Sequence, residues 1–392
     1  MFPVVHSLKI VGDRGHGHLT AQLYAWDEAA VRGDVEIEYG ERRRRMSVRD
    51  SFESPVEFLQ YVKHVYQNSM DAIKTAPNEE FLEVIKERLK RQGIIDTTTS
   101  HEKYDDVIQS YSSELIHILP HSIQTYFSSV VAFGSLDNML VNAMCIRSPN
   151  GFIAVVVNSG LMAFLHKLIK LQIGAATPEK IIYCSREAPR PLTAQIMNGW
   201  IEEITDHYKR TGVPRGLQIH LTDEAAEQGA IQLGICETFV LCHEIAHVLL
   251  GHLNRNDLWS PHESFGMLES FRENESLQME ADADVLGFVI TREFVHRRIF
   301  RANNSTIPWD DRLLILTITL LFDTFSMIGF VETSTHPDPR ERILTIVSNV
   351  YGADFAKKLE GTYHGSVSAF ELFQEPLVIQ TDLFARHFTD MA

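Results

Sequence analysis

In "FVLCHEIAHVLLGH", residues 239–252, His243 and His247 stand four apart with Glu244 beside the first. On a helix, residues i and i+4 share one face, a turn apart. Two imidazole nitrogens so placed can converge on one ion, with bonds of about 2.0–2.1 Å. Glu244 is offset by one residue, near enough to reach a metal-held water but not positioned as the main ligand. The H-E-x-x-H spacing therefore supplies two zinc ligands and one general base. The neighbours Phe239, Val240, Leu241, Ile245, Ala246, Val248, Leu249 and Leu250 are apolar. Burying two imidazoles and a carboxylate among them is costly unless something pairs with them, and a zinc ion would do so. The competing reading is a buried helix with two satisfied core histidines, because the short motif also arises by chance. His252 sits five residues past His247, about 140° around a regular helix at ~100° per residue, and is left out of the ligand set. Cys242 reads as a buried structural thiol.

A catalytic zinc needs a third protein ligand and an open position. "QMEADADVLGFVI", 278–290, places Glu280 and Asp284 four apart. One carboxylate can complete the ion's shell. The other can accept the free N–H of a ligating histidine and fix its tautomer. The alternative is that "EADAD" is a solvated acidic face. Asp282, on a different side of the helix, reads that way, whereas Val285, Leu286, Phe288 and Val289 require the helix to pack against something.

Several elements must hold these residues in place. Residues 1–46 look β-rich, with strand-like runs "HSLKIVG", "HLTAQLYAW" and "DVEIEYG" between turn signals. The run Arg42–Arg45 reads as a solvated turn. From Ser54 the pattern turns helical: Ser54 caps a helix with Pro55 at its first position, and a second helix spans 78–93. "NAMCIRSPNGFIAVVVNSGL", 142–161, predicts two strands joined by a turn at 148–151, then a helix capped by Ser159. A helix over 191–211 and a strand over 216–221 follow. Beyond 229 the chain is almost wholly helical. The exception is a loop at 253–276, a candidate lid, whose Trp259 and His262 could line a substrate pocket. "LLILTITLLFDTFSMIGFV", 313–331, is long enough to span a bilayer. Thr317, Thr319, Asp323 and Ser326 interrupt it and no basic cluster flanks it, so it reads as a core helix.

The 392 residues carry a net charge of -16, which argues against a nucleic-acid or membrane-surface binder. Cys145, Cys184, Cys236 and Cys242 lie far apart with no C-x-x-C spacing, as expected of free thiols in a reducing compartment. The first residues show no signal-peptide pattern. A cytoplasmic location without a membrane span is the expectation.

"HEIAH" followed by "EADAD", read as E-x-x-A-D, resembles the gluzincin metallopeptidases. More narrowly, it is similar to the M48-type group that includes the HtpX heat-shock proteases and the prenyl-protein proteases. "STHPDPRERI", 334–343, resembles that group's H-P-x-x-x-x-R motif, with His336 and Arg342 in its slots. "NAMCIRSPNGFIAVVVNSGL" resembles its N-A-F strand leading to "VNTGL", with Met144 where the group has Phe. The resemblance spans about 140–345. It implies zinc ligands His243, His247 and Glu280, catalytic base Glu244, and Asp284 as partner of a ligating histidine. It implies His336 and Arg342 at the cleft, stabilising an oxyanion or holding the substrate. For His336 the competing reading is a turn residue before a helix starting at Pro337. Asn142, Ala143, Val155 and Val157 are expected at the substrate, with an extended peptide adding to strand 151–158. The group's membrane-embedded members carry several transmembrane helices, so their substrates are not carried over.

The expected fold is α+β: a helix-rich zincin-like core with a small antiparallel sheet, after an N-terminal β and helical extension. The expected regions are 1–50 (β-rich), 51–125 (helical) and 126–392 (the metallopeptidase domain). The active site is expected in a cleft between the sheet edge and the helix over 231–252. The expected function is a zinc-dependent endopeptidase acting on a protein or peptide substrate. A regulatory peptidase with a single partner, or a zinc-stabilised binding protein without turnover, are the rivals.

Overall fold

The computed structural model describes residues 12–13, 18–27, 32–39, 42–49, 51–69, 103–136, 140–184, 193–212, 219–253, 273–300, 311–328 and 338–363. The helix expected at 78–93, most of the 253–276 loop with Trp259 and His262, and His336 lie outside these residues.

At the N-terminal end, β1 (Gly12–Asp13), β2 (His18–Asp27), β3 (Arg32–Tyr39) and β4 (Arg42–Arg49) form an antiparallel meander. The Arg42–Arg45 run is not the turn expected of it. It opens β4, where Arg43 and Arg45 stand opposite Glu38 and Glu36 of β3. That register depends on a partner strand, which the run read alone does not contain.

The main body is a helix-rich α+β assembly. Helix α1 (Pro55–Ser69) starts as its sequence dictates: Ser54 Oγ accepts the N–H of Glu57, and the Glu57 carboxylate accepts the N–H of Glu53. Helices α2 (Lys103–Ile118) and α3 (His121–Val130) lead into β5 (Val131–Leu136), followed by β6 (Ala143–Arg147) and β7 (Ile153–Asn158). The hairpin between β6 and β7 turns where expected. Gly151 takes φ +95°, and Gly151 N–H bonds to the Ser148 carbonyl.

The sheet order is β5-β7-β6, with β7 parallel to β5 and antiparallel to β6. The small sheet is thus mixed rather than antiparallel, and β7 is its central strand. All six β7 residues are buried, which accounts for the unbroken "IAVVVN" run. Ile153, Val155 and Val157 enter the large core, whereas Ala154 and Val156 enter a smaller one with Phe52, Phe58 and Leu59 below α1. A peptide cannot add to strand 151–158, because both of its edges are already paired. Val155 and Val157, each 0% exposed, are core residues and not substrate contacts.

Helix α4 (Ser159–Ala176) leaves β7 directly, with Asn158 rather than Ser159 at its cap position. A short 3-10 turn, β8 (Ile181–Cys184), α5 (Ala194–Thr211) and β9 (Ile219–Leu221) follow, and β8 pairs with β9. Then come α6 (Asp223–Leu249), α7 (Glu273–Val295), α8 (Asp311–Met327), α9 (Pro339–Tyr351) and α10 (Ala353–Tyr363). Tyr104, Ile108 and Leu115 of α2 share one core with Phe239, Phe288 and Phe322. The boundary expected at 125 therefore does not separate two cores. A part-buried ion pair between Lys63 and Asp105 joins α1 to α2, and Asp105 also accepts the N–H and hydroxyl of Ser135 on β5. No helix among the described residues is long and apolar enough to cross a membrane. Residues 313–327 of the 313–331 segment lie in α8, with Thr317 and Thr319 buried.

Candidate metal centre

Helix α6 runs through the middle of the core. It has 27 residues, and nearly every position from Leu233 to Val248 is buried. A helix that is apolar all round belongs inside, which is why His243, Glu244 and His247 lie in the interior. Helix α7 crosses it closely. A Cβ on Gly287 would stand 2.9 Å from both the Cα and the backbone nitrogen of His243. Only glycine allows that approach, and it brings Glu280 and Asp284, on the same side of α7, against the two histidines.

Three side chains converge. His243 Nε2 and His247 Nε2 are 3.1 Å apart, and each is 3.4 Å from a Glu280 carboxylate oxygen. A tetrahedral ion with bonds of about 2.0–2.1 Å holds its ligand atoms roughly 3.3–3.4 Å apart. The triangle of donors is therefore the right size for such an ion, and among the described residues His243, His247 and Glu280 are the group able to hold a metal. The donor chemistry, two imidazoles and one carboxylate, suits zinc.

The outer contacts are equally specific. His243 Nδ1 lies 2.9 Å from Asp284 Oδ1. Asp284 accepts two hydrogen bonds of 2.7 Å from Arg342, through Nε and Nη2. This bidentate fork is the strong form of such a contact. The guanidinium also stacks on Phe322, 4.7 Å from the ring centroid. Arg342 reaches this place from the first turn of α9, which opens on Asp338 as cap and Pro339 at its first position. The helix therefore begins two residues later than the Pro337 start considered for it. Arg342 is committed to Asp284, with Nη2 3.8 Å from Glu280 Oε2. It holds the carboxylates of the site rather than pointing at a reacting carbonyl.

Glu244 is buried and lies against the Cys145 thiol of β6, which hydrogen-bonds to it. Burial raises its carboxyl pKa, although His243 and Arg342 pull the other way. Met144 faces away into the smaller core. β6 is an outer strand of its sheet and packs against α6, and Arg147 Nη1 donates to the Leu253 carbonyl beyond the helix end. Asn142 is exposed and Ala143 partly so, at the start of that strand. Asp282 is exposed and accepts from Gln278.

The two imidazoles titrate in opposite directions. Burial works against a charged His243, but Asp284 and Glu280 outweigh it and hold its pKa well above the ordinary value. Burial and the neighbouring His243 charge push His247 well below it. In the metal-free site at neutral pH His247 is thus neutral and His243 carries the one extra proton. A metal needs both Nε2 atoms bare. Zinc binding at pH 7 is expected to release about one proton per ion, and the affinity to fall as pH is lowered. Calorimetry in two buffers of different ionisation enthalpy measures this, and binding that releases no proton would contradict the assignment.

Cys145, Gly287 and Phe322 have roles at the site that the motifs did not indicate. Gly287 had a signal, since a lone glycine inside a helical pattern often marks close packing. Compared with known proteins, the chain matches no family model, no curated protein and no solved structure.

Proposed function

We propose that the protein is a zinc-dependent endopeptidase with a zincin-like core, as its resemblance to the gluzincin group implies. His243, His247 and Glu280 hold the ion, and Glu244 is the general base. The observation that supports this most is the tetrahedral-sized triangle of donors with a buried carboxylate, Glu244, beside it. A site that only braced the fold would need no Glu244. A bound zinc would supply a Lewis acid that polarises a peptide carbonyl and acidifies water.

The chain's residues do the rest. The Glu244 carboxylate takes a proton and returns it to the leaving amine, and its raised pKa brings it nearer the working pH. Asp284 keeps the His243 proton on Nδ1, so that Nε2 faces the ion. Arg342 balances the charge of Asp284. The outer edge of β6, beginning at Asn142 and Ala143 and without a paired strand among the described residues, is where an extended peptide would pair by its main chain.

The test is hydrolysis of a quenched-fluorescent peptide library. Cleavage should stop with a zinc chelator, return with added zinc, and leave the chain folded throughout. A chain that cuts nothing and merely unfolds when stripped of metal would be a zinc-stabilised binding protein instead.

A further inference from the structure

The helix carrying the two ligands ends in a way that brings a third imidazole to the centre. Leu250, the cap residue just past α6, still has helical dihedral angles, and Gly251 takes φ +71°. Gly251 N–H bonds to the Val248 carbonyl, and His252 N–H to the His247 carbonyl at 3.0 Å. These are the two backbone bonds of a Schellman motif, which needs glycine at its left-handed position. The reversal folds His252 back over His247. Its Nδ1 lies 2.9 Å from His247 Nδ1, with the rings 5.0 Å apart and inclined by 69°. Had the helix continued, residue 252 would face elsewhere.

The geometry points to His252 as a positioning residue of the metal centre: its imidazole accepts the Nδ1–H of His247 and so turns Nε2 onto the ion. The inference rests on the metal-site reading above. A neutral imidazole that binds a cation through Nε2 must carry its proton on Nδ1, and that proton needs an acceptor. Asp284 serves His243 in this way, with its charge offset by Arg342. His252, neutral and protonated on Nε2, serves His247. Both ligands are thus oriented without adding net charge, and the ion keeps the positive balance left by a single carboxylate ligand.

Two variants test this. His252→Phe keeps a ring and removes the acceptor, and His252→Gln keeps an acceptor oxygen and removes the ring. Zinc affinity is measured by competition with a chromophoric chelator, and folding by the melting of the metal-free protein. His252→Phe should bind zinc about 10–100-fold more weakly at unchanged metal-free melting temperature, with His252→Gln recovering most of the loss. Full affinity in His252→Phe, or equal losses in both variants, would overturn the role. Wild-type protein that binds no zinc would instead overturn the metal site itself.

Discussion

Glu244→Gln is expected to lower peptide hydrolysis by about 10²–10⁴-fold, the usual contribution of a general base, while zinc stays bound. The amide matches the carboxylate in shape but cannot take a proton. It lies beside the three donors and not among them, so the triangle of His243, His247 and Glu280 is left intact. Melting should not fall, because burial opposes the charge on Glu244 and a neutral side chain is spared that cost. Turnover, zinc content and melting temperature measured on one preparation decide the matter. A variant that keeps full activity would show that another group moves the proton. Loss of zinc together with activity would make Glu244 part of the ion's shell.

Gly287→Ala is expected to damage both the fold and the site. The new Cβ would meet the Cα and backbone nitrogen of His243 at 2.9 Å and the Cys242 carbonyl carbon at 3.2 Å. These are backbone atoms, so no rotamer change relieves the clash and α6 or α7 must move. Overpacking of this kind costs typically about 1–3 kcal/mol, more than the roughly 1 kcal/mol that alanine gains over glycine in a helix. The displaced helix carries Glu280 and Asp284 with it, and a metal site tolerates only about 0.5 Å of misplacement. Zinc affinity should therefore fall along with stability. Gly199 in α5 is the control, since a Cβ there meets nothing within 4 Å. Gly199→Ala should be neutral or gain up to about 1 kcal/mol. Equal denaturation midpoints and zinc affinities for the two alanine variants would refute the close crossing.

The helical period made part of this site legible before any coordinates. His243 and His247 on one turn, and Glu280 and Asp284 on another, share faces because i and i+4 always do. Which helices meet, and how closely, depends on Gly287, and a single glycine does not specify its partner. His252 stays outside the ligand set as expected, but its contact with His247 was not legible from an angle counted on a continuing helix, because Gly251 ends that helix and reverses the chain. Strand 151–158 was legible as a strand, but its unbroken apolar run "IAVVVN" does not say which strands pair with its two edges. Its pairing with both β5 and β6 leaves those two as the outer strands of the sheet among the described residues. Arg42–Arg45 shows the same limit: a run of like charges reads as a turn until a partner strand, here β3, is found beside it.

The most direct measurement is an anomalous difference map at the zinc absorption edge, from crystals of protein purified without added chelator. The account predicts one strong peak about 2.0–2.2 Å from His243 Nε2, His247 Nε2 and a Glu280 oxygen, with Glu244 next to it and not bonded. A metal-free map from zinc-soaked crystals, or a peak elsewhere with Glu280 turned away from the imidazoles, would contradict it.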